Sequence, residues 1–204
     1  MLGVVGSAGA DSTGSSGGAN HVVIAQNTTD GATVVHAGTQ VVPTAGDTVT
    51  SANIAAAVNA GCVGCHSTAV AVQILIVHGS PSVFSPGNVA GAANGGCESC
   101  GAYAFARQHW IQVTGNSELS GAARAQVAQL RQEIADAASS ILPSDVTTDP
   151  CVTTGDCPTR DEQLDATLGA LADQLIQVVT NDLQASGATT SVLADRVEET
   201  APGS

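Results

Sequence analysis

The chain has 204 residues, with 18 acidic residues, five arginines and no lysine, and its formal net charge is −13. Binding to nucleic acid depends on a surplus of lysine and arginine, so this composition excludes nucleic acid as an expected partner. Apolar residues make up 43% but aromatic residues only 2%, and no apolar run reaches the roughly 20 residues that a membrane-spanning helix needs. We therefore expect no membrane span, and a thin core in which backbones approach closely.

The N-terminal residues 1–19 are rich in glycine, serine and small apolar residues. Met1 to Ala10 is apolar and ends in Ala8-Gly9-Ala10, a pattern of the kind that signal peptidase cleaves. We interpret residues 1–19 as a signal remnant or a flexible Gly/Ser arm. Together with six cysteines in close pairs, this segment predicts a secreted or cell-surface protein, because disulfides persist in oxidising compartments.

Residues 20–115 contain three similar blocks, whose first asparagines are 33 and then 35 residues apart. In each block a second asparagine is followed, 13 or 14 residues later, by a glutamine. The first asparagines are Asn20, Asn53 and Asn88, the second are Asn27, Asn59 and Asn94, and the glutamines are Gln40, Gln73 and Gln108. Repetition at one period predicts that the three blocks share one structure.

The apolar runs of these blocks alternate with a period of two. In Thr68 to His78, small residues and one amide occupy one face and valine or isoleucine the other, which is typical of a strand buried on both sides. In stacked coils of a β-solenoid, equivalent residues lie above one another, so the asparagines and glutamines would form amide ladders. A sandwich of three antiparallel hairpins is the alternative.

The second half of the chain changes to helical spacing. Apolar residues from Leu119 to Ile141 recur every three or four positions, which predicts an amphipathic helix that ends before Pro143. A second helix is expected to begin at the capping-box pattern of Thr159 and Glu162 and to end at Gly187.

The predicted fold class is therefore α+β. An N-terminal three-repeat all-β region, either β-solenoid-like or built of stacked hairpins, occupies residues 20–115. An α-helical hairpin with a cysteine-containing linker follows in residues 116–187, and residues 188–204 form an acidic tail. The linker also holds three aspartates that could bind calcium, although the EF-hand spacing is absent: Asp145, Asp149 and Asp156.

The six cysteines are the residues with the most reactive side chains. They form three pairs: Cys62 with Cys65, Cys97 with Cys100, and Cys151 with Cys157. An even number of cysteines in an exported chain predicts structural disulfides, with the connectivity left open within each pair or between stacked turns.

Three other roles for these cysteines remain open. Two C-x-x-C pairs brought together would supply four thiolates to zinc, namely those of Cys62, Cys65, Cys97 and Cys100. Cys62, Cys65 and His66 also match C-x-x-C-H, the attachment pattern of c-type haem, although the second pair lacks the histidine. A thioredoxin-like redox pair would require a helix N-terminus, whereas strands are predicted on both sides of each pair.

Parts of residues 20–135 resemble a known group of proteins. The similar segments are Asn27-Thr-Thr-Asp-Gly31, Gln40-Val-Val42, Asn59 through Cys62-x-x-Cys65, Ala69-Val-Ala-Val-Gln73, and Asn88-Val-Ala90 leading to Cys97-x-x-Cys100. They are similar to the extracytoplasmic region of actinobacterial proteins labelled peptide zinc metalloproteases. The resemblance implies an exported actinobacterial module. It carries over no catalytic residue, because the H-E-x-x-H motif of a zinc protease is absent from this chain.

The sequence contains none of the common catalytic or nucleotide-binding motifs. We therefore expect no enzyme and no cofactor, but a secreted or cell-surface structural or interaction protein. It would be stabilised by disulfides and would associate with itself, as filaments or oligomers, or with another surface protein. The alternative is a zinc, redox or haem protein that uses the two C-x-x-C motifs.

Overall fold

The computed structural model describes residues 19–115, 118–140 and 160–200, and within them the fold is α+β. The strands are β1 (His21–Asn27), β2 (Thr33–Ala45), β3 (Thr48–Ala60), β4 (His66–His78), β5 (Val83–Gly95), β6 (Gly101–Thr114) and β7 (Thr189–Thr200), and the helices are α1 (Gly121–Ser140) and α2 (Arg160–Ala185). Between these ranges lie Pro143, Thr159 and the linker cysteines, so the predictions about them concern residues outside the described ones.

The seven strands form two sheets. One has the order β1-β3-β5 and the other β2-β4-β6-β7. All pairs among β1 to β6 are parallel, and β7 alone is antiparallel, beside β6. From β1 to β6, strands that follow one another along the chain therefore lie in different sheets. The alternative of three antiparallel hairpins is wrong, because a hairpin would require its two strands to pair with each other.

The parallel register follows the sequence period. Residues paired across β2 and β4 are 33 apart, as in Thr33 with His66, and those across β3 and β5 are 35 apart, as in Asn53 with Asn88. Between β1 and β3 the offset is 32, so that His21, and not Asn20, pairs with Asn53. The predicted place of Asn20 in a ladder is therefore wrong by one residue.

Alanine fills one part of the layer between the two sheets. Its buried members come from both sheets and include Ala25, Ala55, Ala57, Ala69, Ala71, Ala102, Ala104 and Ala106. Such small side chains allow the sheets to approach closely there, as the composition predicted. Another part of the layer holds larger apolar residues, and the ring of Trp110 packs against that of Phe84 from the opposite sheet.

The opposite face of the sheet β2-β4-β6-β7 carries large apolar side chains. The core there includes Val70, Val72, Ile74, Ile76, Phe105 and Ile111, together with Leu130, Ile134, Leu164, Leu168, Leu175 and Leu183 from the helices. Strand β4 is therefore buried on both faces, as its unbroken apolar pattern predicted. Among the described residues, no helix is both long and apolar enough to cross a membrane.

The two helices begin and end at residues with specific capping roles. The hydroxyl oxygen of Ser120 accepts a hydrogen bond from Ala123 N–H, as an N-cap does, and donates one to Asp182 near the end of α2. The helices therefore run antiparallel, as a hairpin. Gly187 has φ of +87°, and the N–H groups of Gly187 and Ala188 bond back to the carbonyls of Gln184 and Leu183. This Schellman motif ends α2 where the sequence predicted.

Residues 188–204, expected as an acidic tail, contain strand β7. It lies along β6, where Arg107 pairs with Val197 and Gln112 with Ser191. The acidic residues of this segment masked its alternating pattern. A strand here satisfies the backbone groups along the free side of β6.

Candidate functional site

The three glutamines form one continuous ladder across the sheet β2-β4-β6. Gln108 Nε2 donates to Gln73 Oε1 at 2.8 Å, and Gln73 Nε2 donates to Gln40 Oε1 at 2.7 Å. Gln73 and Gln108 are fully buried. The carboxamide of Gln73 also accepts from the hydroxyl of Ser51 and donates to Ala19 C=O. This part of the predicted ladder is present in the structure.

A second ladder crosses the sheet β1-β3-β5. Asn53 Nδ2 donates to Asn88 Oδ1 at 2.8 Å and to the carbonyls of Ala71 and Arg107 in the opposite sheet. The first rung is His21, whose Nδ1 lies 2.9 Å from Asn53 Oδ1. This ladder therefore ties the two sheets together through their interior.

His21 takes the place of an asparagine because the residue across from it is small. A Cβ on Gly38 would lie 2.8 Å from His21 Nε2, so that only glycine leaves room for the ring. Burial lowers the pKa of His21, and the hydrogen bond with Asn53 only partly opposes that effect. The period-based prediction missed this residue because a histidine replaced the repeated amide.

At the far end of the strands, Asn59 and Asn94 bond to each other, whereas the predicted place of Asn27 in this ladder is wrong. Asn59 Nδ2 donates to Asn94 Oδ1 at 2.8 Å and to Gly101 C=O. Asn27 aligns with Asn59 in the register, yet its side chain donates to the carbonyls of Ala32 and His66. These amides hold the turns to the strands that follow them.

Two stacked turns carry the cysteines. The turn between β3 and β4 holds Cys62 and Cys65, and the turn between β5 and β6 holds Cys97 and Cys100. Each turn includes a residue in the left-handed conformation, Gly64 with φ of 61° and Ser99 with φ of 54°. Serine tolerates this conformation less well than glycine, since its Cβ approaches the following carbonyl.

The four sulfur atoms of these turns form one compact cluster, in which every pair of atoms lies within 4.8 Å. Cys62 and Cys65 are joined by a disulfide, whereas Cys97 and Cys100 carry none. The Sγ atoms of Cys65 and Cys100 are 2.7 Å apart, and those of Cys62 and Cys97 are 3.9 Å apart. The cluster forms because its 35-residue spacing equals the register of β3 with β5 and of β4 with β6.

The environment of Cys100 disfavours its thiolate. Desolvation raises the pKa of the Cys100 thiol, and the neighbouring Cys97 sulfur raises it further. Backbone N–H groups of Cys65 and Gly64 act in the opposite direction. A thiol held protonated beside a disulfide is a poor nucleophile, which favours a structural cystine pair over a redox catalyst.

Neither the haem nor the thioredoxin arrangement matches this geometry. Cys62 and Cys65 are bonded to each other, so neither thiol of the C-x-x-C-H motif is free for a thioether bond to haem, and the ring of His66 lies against Gly101. Strands flank both cysteine turns, so in the described part of the chain no helix N-terminus adjoins them.

A cluster of charged residues lies between β6, β7 and α2. Arg107 Nη2 is 2.7 Å from Asp173 Oδ1 and 3.0 Å from Asp195 Oδ2, and His109 Nδ1 is 3.4 Å from Asp195 Oδ1. Burial alone would raise the pKa of Asp195, but Arg107 outweighs it and that pKa is lowered. Sequence analysis did not identify this cluster, because β7 had not been recognised.

Burial lowers the pKa of the His109 imidazole, and the carboxylate of Asp195 only partly opposes that change. His109 is thus held neutral beside an ion pair that joins β6 to α2 and β7. The cluster contains no nucleophile, and we assign it to packing of the helices on the sheet.

Several predicted site residues lie outside the described residues. These are Cys151, Cys157, Asp145, Asp149 and Asp156. Their predicted disulfide and calcium roles therefore remain predictions. The comparisons with known proteins found no match among protein-family models, curated proteins or solved structures.

Proposed function

We propose that this protein is a non-enzymatic, secreted or cell-surface structural or interaction protein, whose body is a β-solenoid of three stacked coils. Each coil would consist of two strands and the turn between them: β1 with β2, β3 with β4, and β5 with β6. The proposal rests on the parallel pairing in both sheets, in which paired residues are 32 to 35 positions apart in the chain.

The amide ladders support a structural role for the interior. Their side-chain N–H groups donate to the next rung or to backbone carbonyls, which makes them part of the scaffold. A buried amide that is bonded in this way is costly to remove and leaves little capacity to bind a ligand. A protein with such an interior acts through its outer surface.

The cysteine turns support an oxidising compartment. Cys62 and Cys65 form a disulfide, and Cys97 and Cys100 have the same spacing one turn away. A second disulfide at this pair would make the turns equivalent. The expected role of both bridges is to stabilise the turns.

Intact mass spectrometry of protein purified without reductant tests this proposal. After alkylation, we expect no added label on the four clustered cysteines, and full labelling after reduction. Fractionation of the source organism should recover the protein outside the cytoplasm. Four labelled thiols in the unreduced protein, or a cytoplasmic location, would contradict the proposal.

A zinc centre at the same four sulfurs is the second candidate function. In a tetrahedral zinc site with Zn–S bonds of about 2.3 Å, neighbouring sulfurs are about 3.8 Å apart. The 3.9 Å between Cys62 Sγ and Cys97 Sγ is close to this value. Binding requires four thiolates, so the disulfide of Cys62 and Cys65 would first have to be reduced to two thiols.

Metal analysis of protein purified under reducing conditions distinguishes the two candidates. A zinc site predicts about one zinc per chain, lost in Cys97→Ser and retained in the control Ser99→Gly, which keeps all four thiols. Zinc below stoichiometry, or equal zinc in both variants, would exclude this candidate and leave the disulfide role.

A further inference from the structure

We infer that two copies of this chain associate end to end, through the edges of β1 and β2, into a closed two-fold dimer. The inference rests on the proposed stack of coils and specifies its partner. A stack that could pair at both ends would grow into a filament, whereas only the first end of this stack presents the edges of both sheets side by side.

The backbone of β2 shows which groups the first end offers. His66 N–H donates to Ala32 C=O, and in a parallel pair alternate residues face the same neighbour. The even-numbered residues of β2 therefore pair with β4. The odd-numbered residues direct their N–H and C=O groups to the open side, and they are Thr33, Val35, Ala37, Thr39, Val41, Pro43 and Ala45.

Proline occurs in this strand at an odd position, which agrees with that assignment. Pro43 has no N–H to donate, so the ladder with β4 loses nothing. Among the described ranges, no strand lies on the open side of β1 or β2. The side chain of His36 bonds to Ile24 C=O and so occupies one carbonyl of the β1 edge.

The other end is uneven. Strand β7 continues the sheet β2-β4-β6 by one strand, while the sheet β1-β3-β5 has no counterpart. At this end one sheet therefore extends one strand beyond the other, and the two strands of a following coil cannot pair with β5 and β7 together. Glu198 also accepts a hydrogen bond from Ala90 N–H, which lies on the edge of β5.

Charge separates the two ends as well. Strands β1 and β2 contain no acidic residue and no arginine, and only Asp30 is charged in the turn between them. Strand β7 carries Asp195, Arg196, Glu198 and Glu199. For a chain of net charge −13, the first end is the surface where two copies meet with the least repulsion. Long uncharged edge strands are also the ones that pair with another chain.

The available area meets the minimum for a specific interface. At about 3.3 Å per residue, the 13 residues of β2 and the 7 residues of β1 give edges about 43 Å and about 23 Å long, each about 7.5 Å wide for sheets about 10 Å apart. Two copies would then bury about 1,000 Å² in total, which is the minimum expected of a biological interface.

A two-fold axis perpendicular to the sheets satisfies both edges at once. It places β2 antiparallel to β2 of the second copy and β1 antiparallel to β1. The sheets then contain eight and six strands, and each remaining end is the uneven one that β5 and β7 form. Growth stops at two copies because the interface is isologous.

Sedimentation equilibrium of the full chain, over a wide concentration range, tests the inference. We expect a limiting mass of twice the 20.0 kDa chain. Thr39→Pro removes an N–H that faces the open edge and should raise the dimer Kd about tenfold or more. The matched control Thr39→Val keeps the N–H and should leave the dimer intact. Assembly beyond two copies would overturn the inference.

Hydrogen exchange of the wild-type chain keeps the test independent of any folding defect in the proline variant. In the dimer, odd-numbered amides such as those of Val35 and Val41 should become protected as concentration rises. Even-numbered amides such as that of Gln40 should be protected at every concentration.

Odd-numbered amides that stay unprotected in a monomer would overturn the dimer but leave the stack of coils intact. Unprotected even-numbered amides would overturn the stack of coils as well. Protected odd amides in a monomer would mean that another segment of the chain covers the edge.

Discussion

The two faces of the sheet β2-β4-β6-β7 stabilise the molecule in different ways. The inner face borders the layer between the two sheets, where alanines and the fully buried amides of Asn53 and Gln73 lie beside an apolar cluster that includes Trp110. The outer face packs large apolar residues against α1 and α2. Hydrogen bonds and close approach therefore add to apolar area on the inner face, whereas apolar area dominates on the outer face. This difference predicts unequal responses to substitution on the two faces.

The largest effect is expected on the inner face. Asn53→Ala would remove a buried amide that donates to Asn88 Oδ1 and to the carbonyls of Ala71 and Arg107. It would also remove the partner of His21 Nδ1. We expect unfolding free energy to fall by about 4 kcal/mol, measured by urea denaturation.

Asn20→Ala is the matched control for that prediction. Its side-chain oxygen accepts one hydrogen bond from Ala52 N–H at an exposed site, so the expected loss is below about 1 kcal/mol. Equal losses in the two variants would show that Asn20 belongs to the ladder after all.

A somewhat smaller effect is expected on the outer face. Leu168→Ala should cost about 3 kcal/mol, because Leu168 is fully buried between helix and sheet. Leu168→Met keeps the volume and should cost less than about 1.5 kcal/mol. By contrast, Ala71→Val adds volume to the alanine layer and should cost about 1 to 3 kcal/mol. Thermal or urea unfolding that tolerated Ala71→Val better than Leu168→Met would reverse the comparison.

Acidification should weaken the fold through both faces. Burial lowers the pKa values of His21 and His109 below 6.5, so below that pH the unfolded chain binds protons that the folded chain does not. Stability is therefore lost as pH falls through 6.5 towards the lowered pKa values of the folded state. The raised pKa values of Asp161 and Glu199 act in the opposite sense as those carboxyls become protonated.

Comparing the urea midpoints of wild type and His109→Gln at several pH values isolates the contribution of one histidine. The variant removes a titrating group from the outer face, and its urea midpoint should fall less on acidification than that of wild type. A midpoint that fell equally in both proteins would show that His109 titrates normally in the folded state.

The smallest effect is expected at the third turn. Ser99 has φ of 54° where the preceding turn has Gly64 with φ of 61°. Ser99→Gly should raise unfolding free energy by about 0.5 to 1 kcal/mol, because it removes a strained Cβ, while Gly64→Ala should lower it by at least as much. A stabilisation by both substitutions, or by neither, would contradict the equivalence of the two turns.

Residue spacing predicts the features that recur along the chain. A period of two predicts strands, a period of 3.6 predicts the two helices, and a period of about 34 residues predicts the glutamine ladder. Gly187 marks the end of α2. The cysteine cluster follows from the same spacing, because 35 residues separate both Cys62 from Cys97 and Cys65 from Cys100.

Features that depend on one substituted residue or on tertiary pairing were missed. His21 replaces a repeated asparagine beside Gly38, which only the packing of two sheets reveals. Strand β7 lacks an apolar face of its own and forms because β6 offers an edge. The ion pairs of Arg107 with Asp173 and Asp195 depend on that strand and on α2 together.

Nuclear Overhauser contacts between side-chain amides test the stacked register most directly. In protein labelled at asparagine and glutamine nitrogens, the carboxamide protons of Gln73 should show contacts with both Gln40 and Gln108, and those of Asn53 should contact Asn88. Carboxamide resonances without these contacts, or contacts that pair residues at any other spacing, would contradict the account.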